Sequence, residues 1–87
     1  MANLIYSREE AYRYILATEC GYTNEIGIAP ELFEEFCLVG YIKQGMDGEW
    51  NERWHITDFG RVQIKSYLNF FDQENELKNL LTNLGIA

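Results

Sequence analysis

Few residues of this chain could act as nucleophiles or metal ligands. The 87-residue sequence contains two cysteines, Cys20 and Cys37, and one histidine, His55. The cysteines form no CxxC pair, and protein zinc sites need several closely spaced His and Cys ligands. A Cys37–His55 nucleophile pair stays open, although a buried helical cysteine is usually inert. We therefore predict that the chain is not an enzyme and holds no cofactor or metal.

Carboxylates, by contrast, are concentrated in one segment. Glu31, Glu34 and Glu35 recur at helical spacing, and no lysine or arginine occurs between Tyr14 and Ile42. At 100° per residue these glutamates share one side of a helix with Leu38. An apolar group ringed by charges suits a protein contact, because the apolar centre holds an interface and the rim charges steer it. A solvated acidic face with one scattered leucine is the alternative.

The overall charge points in the same direction. The sequence has 7 Lys+Arg against 14 Asp+Glu, a formal net charge of −7 and a pI of about 4.5. Hydrophobic residues make up 47%, which is too apolar for a disordered acidic tail. The length allows one domain with one modest core. The acidity argues against general nucleic-acid binding, because Lys and Arg supply that affinity.

The sequence predicts a cytoplasmic protein that does not contact a membrane. No apolar run reaches 18 residues, and Met1 to Ser7 lacks a basic region followed by an apolar stretch. Two isolated thiols suit a reducing compartment, where they stay free. A Cys20–Cys37 disulfide is the less favoured alternative.

The first helix is predicted from Ser7 to about Cys20. Ser7-Arg8-Glu9-Glu10 is a capping box, apolar residues follow at helical spacing, and Gly21 supplies a C-terminal stop. The next stretch, Tyr22 to Ala29, is ambiguous and has room for one helical turn.

The second helix is predicted from Pro30 to Val39. Proline suits the first helical position, and Gly40 ends the helix. Its apolar side is expected to be buried and consists of Leu32, Phe33, Phe36, Cys37 and Val39.

A β-hairpin follows, with Asp47-Gly48 as the signal for a two-residue turn. This turn predicts four facing pairs across the strands: Met46 with Glu49, Gly45 with Trp50, Lys43 with Glu52, and Tyr41 with Trp54. Trp54 and Ile56 would then point inward. Trp50 lies near the tip, where it either packs over Gly45 or is exposed as an aromatic anchor.

The last quarter of the chain is helical in pattern. Thr57 caps a helix, and the polar segment Asp72 to Glu76 separates its first apolar residues from a second apolar stripe. One long bent helix and two separate helices are both compatible with this pattern. The stripe either folds back on the domain or pairs with a second copy, and the polar segment slightly favours a homodimer through Leu77, Leu80, Leu81 and Leu84.

The order helix, short turn, helix, hairpin, helix resembles the winged helix-turn-helix superfamily. Two motifs carry the resemblance: Val39-Gly40-Tyr41-Ile42, similar to a recognition helix running into its wing, and Trp54-His55-Ile56-Thr57-Asp58-Phe59-Gly60-Arg61, similar to the wing exit. Within the superfamily the chain is similar to small winged-helix proteins of bacteria and phages, such as the YjcQ-type family. The resemblance implies an α+β winged-helix domain over residues 1–71, followed by a helical extension over residues 72–87.

The resemblance also implies that the acidic segment is the second helix of the helix-turn-helix motif. In DNA-binding members, the second helix of the turn motif enters the major groove, and basic residues meet phosphates. Here that helix is acidic, so the main hypothesis is a module that binds a basic surface of a protein partner. It would be a phage-type accessory or inhibitory factor whose carboxylates mimic nucleic-acid phosphates. The predicted contact residues are Glu31, Glu34, Glu35, Leu38 and Trp50.

The alternative hypothesis is a dimeric winged-helix DNA-binding transcription regulator. The charge of the second helix separates the two hypotheses, and it favours the first. DNA contacts would then come from Lys43, Arg53, Arg61 and Lys65.

Overall fold

The structure is a computed structural model that describes residues 3–85, so Met1, Ala2, Ile86 and Ala87 lie outside the described residues. The elements follow the predicted order and confirm the α+β winged helix-turn-helix class. They are α1 (Arg8–Thr18), β1 (Cys20–Tyr22), a 3₁₀ turn (Thr23–Glu25), α2 (Pro30–Leu38), β2 (Ile42–Met46), β3 (Glu52–Ile56) and α3 (Asp58–Asn83). α2 occupies the position that the recognition helix takes in this fold, and we use that name for the position alone; β2 and β3 form the wing.

The predicted end of the first helix at Cys20 is wrong. α1 ends at Thr18, and Glu19 adopts a left-handed φ of 69° that turns the chain into β1. β1 pairs with β3, so the sheet has the order β1-β3-β2 with both pairs antiparallel. Gly21 does not end the helix. It lies under Trp54, where an added Cβ would stand 3.3 Å from the indole nitrogen.

The wing also departs from the predicted two-residue turn. Five residues, 47–51, separate the strands, and the Asp47 carboxylate accepts hydrogen bonds from the backbone N–H groups of Glu49 (2.8 Å) and Asn51 (3.0 Å). The four predicted facing pairs are therefore wrong, and Met46 faces Glu52 instead of Glu49. The structure pairs Gly45 with Arg53, Lys43 with His55, Gln44 with Trp54, and Ile42 with Ile56.

Burial explains the register of the wing. In the predicted register Ile42 would face Arg53 and lie on the outer side of the sheet, because neighbouring residues of a strand alternate between faces. In the observed register Ile42 and Ile56 face each other on the inner side, where both are buried with Trp54. Fully burying one such side chain contributes about 1.5–3 kcal/mol, which exceeds the gain from a preferred turn.

One apolar cluster forms the core beneath the sheet. α1 and α2 contribute Ile15 and Phe36, and the inner face of the sheet contributes Trp54. Val39 was predicted on the buried side of α2, but it is about half exposed. The buried cluster consists of Ala11, Tyr12, Ile15, Ile28, Ala29, Leu32, Phe36, Ile42, Trp54, Ile56, Ile64 and Leu68.

Thr57 joins α2, the sheet and α3. Its hydroxyl accepts a hydrogen bond from the Gly60 N–H (2.9 Å), which confirms the predicted helix cap, and donates to the Gly40 carbonyl oxygen (2.6 Å). Gly60 sits directly against the backbone of Tyr41, so closely that no Cβ would fit. The end of the recognition helix is therefore tied to the start of α3.

α3 is one continuous helix of 26 residues, which settles the choice between one helix and two. It runs through positions 71 and 72, and Asp72 is bonded there to Arg13 of α1 (2.8 Å). Beyond Asp72 every described residue is exposed except the half-buried Leu81. The leucine stripe does not fold back on the domain, and the molecule measures 58 × 30 × 19 Å. Within residues 3–85, no helix is long and apolar enough to cross a membrane.

Candidate interaction surface

The acidic face of α2 is open to solvent. Glu31 and Glu34 are exposed, and neither carboxylate is hydrogen-bonded or ion-paired within residues 3–85. Leu38 lies on the same side with 79% of its surface exposed. Pro30 occupies the first helical position as predicted, which places Glu31 in the first turn, where the helix dipole favours a negative charge. We call Glu31, Glu34 and Leu38 the acidic face.

Glu35 is separated from the acidic face by an ion pair. Both of its carboxylate oxygens accept hydrogen bonds from the Arg8 guanidinium of α1, at 2.7 and 2.9 Å. This bidentate pair holds the pKa of the Glu35 carboxyl below its ordinary value. Glu31 and Glu34 are therefore the free carboxylates of α2, and Glu35 is paired.

An apolar patch extends the acidic face towards α3. Val39 is about half exposed, and an added Cβ on the neighbouring Gly40 would lie 4.0 Å from the Phe59 ring. Phe59 and Val62, one turn apart on α3, are exposed as well. The sequence did not reveal this patch, because Phe59 and Val62 recur at the same helical spacing as the buried Leu68.

Trp50 is exposed at the tip of the wing. Its side chain is 83% exposed, and its backbone adopts a left-handed φ of 66° that large L-residues rarely adopt. The predicted alternative of packing over Gly45 is wrong, since Gly45 faces Arg53. Trp50 and Asn24 line one depression of about 250 Å³, and Asn24 also lines a second depression with Pro30. The wing tip thus borders the segment that leads into the acidic face.

The arginines are held by carboxylates. Each of the four forms an ion pair with a side chain of the protein, which leaves no arginine free to meet a phosphate without losing that pair. The pairs are Arg8 with Glu35 (2.7 Å), Arg13 with Asp72 (2.8 Å), Arg61 with Glu19 (3.1 Å), and Arg53 with Asp47 (3.7 Å).

The four candidate DNA contacts lie away from the acidic face. Lys43 and Arg53 point from the outer side of the sheet, on the same side as His55. Arg61 and Lys65 stand one turn apart on α3. Within the described part of the chain, the two lysines form no ion pair. The four candidate residues therefore lie on the outer sheet face and on one flank of α3.

Cys37 and His55 are not brought together. The Cys37 thiol packs against the core and lies 3.6 Å from the Gln44 side-chain nitrogen. His55 is on the outer side of the sheet, directly across from Cys20. Both cysteines are free thiols, and no group of three potential metal ligands occurs within residues 3–85.

Comparison with known proteins supports the fold assignment and finds no related sequence. No protein-family model matches the sequence, and no curated protein sequence matches it. Among solved structures, the chain is similar to Sso10a-2, a DNA-binding protein from Sulfolobus solfataricus, with a TM-score of 0.61 and 15% identity over 90% of this chain and 95% of that one. The fold is a winged helix.

Two further structures support this assignment. The protein smu.1704 from Streptococcus mutans UA159 is similar with a TM-score of 0.63 and 16% identity, over 99% of this chain and 97% of that one. A mutant of ZitR from Lactococcus lactis in apo form is similar with a TM-score of 0.59 and 16% identity, over 87% of this chain and 65% of that one. Because the match to smu.1704 covers 99% of this chain, it includes the long α3.

Proposed function

We propose that this protein is a winged-helix module that docks on a basic surface of a protein partner through the acidic face of α2. The observation that carries the proposal is the charge of the recognition helix. Its exposed side presents two free carboxylates and no cation, on the surface that this fold commonly uses for recognition. Phosphate contacts would be repulsive there.

The chemistry of the acidic face suits a protein contact. Leu38 is a large apolar side chain flanked by unpaired charges, and such centres lose water on docking while charges at the rim steer the approach. Trp50 adds a second anchor at the wing tip, since exposed aromatics are enriched among residues that dominate binding energy. Glu35 supports the face indirectly, by fixing α2 to α1 through Arg8.

The partner class follows from the charges. A pair of carboxylates on a helix presents negative charge to a groove of arginines and lysines, as nucleic-acid phosphates do. We place the protein with small YjcQ-like winged-helix proteins of phage or bacterial origin, as an accessory or inhibitory factor that occupies a nucleic-acid site. The cytoplasm is the proposed compartment, because Cys20 and Cys37 are free thiols.

Charge reversal tests the proposal. The wild-type chain is immobilised and used to capture proteins from a candidate host lysate, and each captured protein is then retested in purified form. Glu31→Lys/Glu34→Lys should lose the partner, because repulsion replaces the steering attraction. Glu74→Lys/Glu76→Lys is the matched control, since it makes the same change in net charge on the distal half of α3 and should retain the partner.

Two outcomes would contradict the proposal. Equal capture by both double variants would mean that the acidic face is only solvated. A mobility shift of random duplex DNA by micromolar protein, weakening steeply with added salt, would show binding through phosphates instead.

A second candidate function is DNA binding as a dimeric transcription regulator. Two observations favour it: Lys43, Arg53 and His55 share the outer face of the sheet, and the similar Sso10a-2 is a DNA-binding protein. Lys43→Glu/Lys65→Glu would then abolish the mobility shift, whereas Lys78→Glu, on the distal half of α3, would leave it nearly unchanged.

A further inference from the structure

The outer side of α3 is apolar along the entire helix. Relative to Phe59, the apolar residues of α3 that are more than half exposed fall within an arc of about 80° at 100° per residue, on the opposite side from the buried Ile64 and Leu68. The leucine stripe seen in the sequence is only its distal half. The large side chains of this seam are each more than half exposed, and they are Phe59, Val62, Phe70, Leu77, Leu80 and Leu84.

Within residues 3–85, the distal half of α3 packs against no other element. Its last tie to the body is the ion pair between Asp72 and Arg13, and beyond Asp72 only Leu81 is even half buried. An isolated helix of about a dozen residues is marginal in water, and most helical stability in proteins comes from packing an apolar face. Six exposed large apolar side chains on one side of a helix are also more than the singly scattered ones that a monomer's surface normally carries.

The spacing along the seam is that of a two-helix contact. Together with Ser66 and Gln73, the seam residues follow one another at intervals of 3, 4, 4, 3, 4, 3 and 4. Apart from the repeated step of 4 between Ser66 and Phe70, this is the alternation of 3 and 4 that is typical of a coiled coil. We propose that the seam binds a second copy of this chain in antiparallel orientation, over the whole length of α3. The inference is independent of what the acidic face of α2 binds.

The antiparallel register follows from the seam itself. A two-fold axis between positions 71 and 72 sets Phe59 opposite Leu84 of the second copy, and Ser66 opposite Leu77. Phe70 then lies opposite Gln73, and Val62 meets Leu80 and Leu81. Every small or polar seam residue thus faces a large apolar one.

A parallel pair would be less favourable on two counts. Like residues would face each other, which would bury a Ser66 pair and a Gln73 pair without apolar cover. The two acidic bodies, each carrying most of the seven surplus negative charges, would also lie side by side. In the antiparallel pair each body packs along the proximal half of its own α3, as far as Asp72, so the midpoints of the two bodies lie about 20 Å apart along the helix, which is more than two screening lengths at physiological salt.

This arrangement makes the recognition surface composite. Leu84 of the second copy would cover Phe59, which adjoins Gly40 at the end of α2. The apolar patch would therefore be partly closed, with Leu38 left at the centre of the open surface. Each dimer would present two acidic faces, one at each end.

Cysteine cross-linking tests both the contact and its direction. In a full-length Cys20→Ser/Cys37→Ala background, chains carrying Ser66→Cys are mixed with chains carrying Leu77→Cys and oxidised. We expect disulfide-linked heterodimers in the mixture and no cross-link from either chain alone. Ser66→Cys mixed with Lys78→Cys is the matched control and should stay unlinked, because Lys78 points away from the seam.

The other outcomes overturn the proposal. Self-linking of Ser66→Cys would indicate a parallel pair, and no cross-link in any mixture would indicate that another surface covers the seam. A second measurement does not depend on the cysteine background. In sedimentation equilibrium the wild-type chain should be a dimer, Leu77→Ser/Leu84→Ser should weaken dimerisation roughly a hundredfold or more, and Asn75→Ser/Lys78→Ser should leave it unchanged.

Discussion

The Arg8 side chain of α1 pairs with Glu35 and leaves the two other glutamates of α2 free. Helical projection places Glu31, Glu34 and Glu35 on one side of α2, but the Arg8 guanidinium takes both oxygens of Glu35. That contact joins residues 27 positions apart, and no local pattern signals it. The sequence therefore predicted which residues are acidic and exposed, and overstated how many of them are free.

The titration of Glu35 should report its pair with Arg8. Because the pair lowers the pKa of the folded carboxyl, its stabilisation is present above the ordinary carboxyl pKa and is lost as the pH falls through the lowered value. In a ¹³C NMR titration, Glu35 should titrate below the ordinary glutamate value of about 4.3. Arg8→Gln should raise its pKa towards that value, whereas Arg13→Gln should not. An unchanged Glu35 titration in Arg8→Gln would show that the pair does not persist in solution.

Trp50 combines a left-handed backbone conformation with a solvent-exposed indole. A left-handed conformation costs a residue with a Cβ about 1–2 kcal/mol, and the indole recovers little of that cost because it is exposed. The Asp47 carboxylate maintains the loop through the N–H groups of Glu49 and Asn51.

We expect the strain at Trp50 to appear in paired substitutions. Trp50→Gly should be more stable than Trp50→Ala by about 1 kcal/mol, because only glycine removes the Cβ. Urea unfolding followed by the fluorescence of the buried Trp54 gives the free energies. The same two substitutions at Glu49, which lacks a positive φ, should rank in the opposite order. The same order at both positions would argue against strain at Trp50.

At the scale of elements, local signals predicted the helix starts and missed one strand. The caps by Ser7 and Thr57 bond a backbone N–H only three residues away, so the sequence contains the whole interaction. The strand Cys20–Tyr22 exists because it pairs with β3, more than 30 positions later, and its three residues have no strand pattern of their own. The predicted register of the wing was wrong because it also depends on contacts between elements: the burial of Ile42 in the core outweighed the local turn signal.

Adding a methyl group at Gly60, where the wing meets α3, should destabilise the fold. In Gly60→Ala the new Cβ would overlap the Tyr41 carbonyl oxygen and lie 2.7 Å from the Tyr41 Cα, and backbone atoms cannot move aside as a flexible side chain would. We expect a loss of about 2–3 kcal/mol in the free energy of unfolding, measured in urea. Gly45→Ala is the control, because nothing lies within 4 Å of its Cβ, and its change should be within about 0.5 kcal/mol. Equal stability of the two variants would mean that the junction is looser than described.

At the scale of the whole molecule, the two unpaired glutamates of the acidic face and the two candidate lysines lie on different surfaces. Free carboxylates lie on α2, while Lys43 and Lys65 lie on the outer sheet face and the flank of α3. Net charge alone predicted weak nucleic-acid binding but not this separation. The fold class was within reach of the sequence, since element order follows from local patterns. The free or paired state of each charge was not, because it depends on contacts between elements.

Hydrogen exchange should reveal whether the distal part of α3 is stabilised by association. Amides from Gln73 to Leu84 should exchange rapidly in dilute protein and become protected as the concentration rises, because a second copy then packs on the seam. Amides around Ile64, in the core, should not respond. Leu77→Ser should keep the distal amides fast at every concentration. Protection that is independent of concentration in the wild-type chain would contradict a two-copy contact.

The hydroxyl of Thr57 fixes the position of the acidic face relative to α3. It holds the end of α2 and the first turn of α3 together, so the recognition helix cannot swivel on α3 without breaking that clamp. In the antiparallel pair, the separation of the two acidic faces would thus be set by the length of α3 alone. Seven residues inserted at Asp72 would add about 10 Å and nearly restore the direction of each seam residue. Such an insertion would preserve pairing yet reject any partner whose two basic sites are matched to the native length.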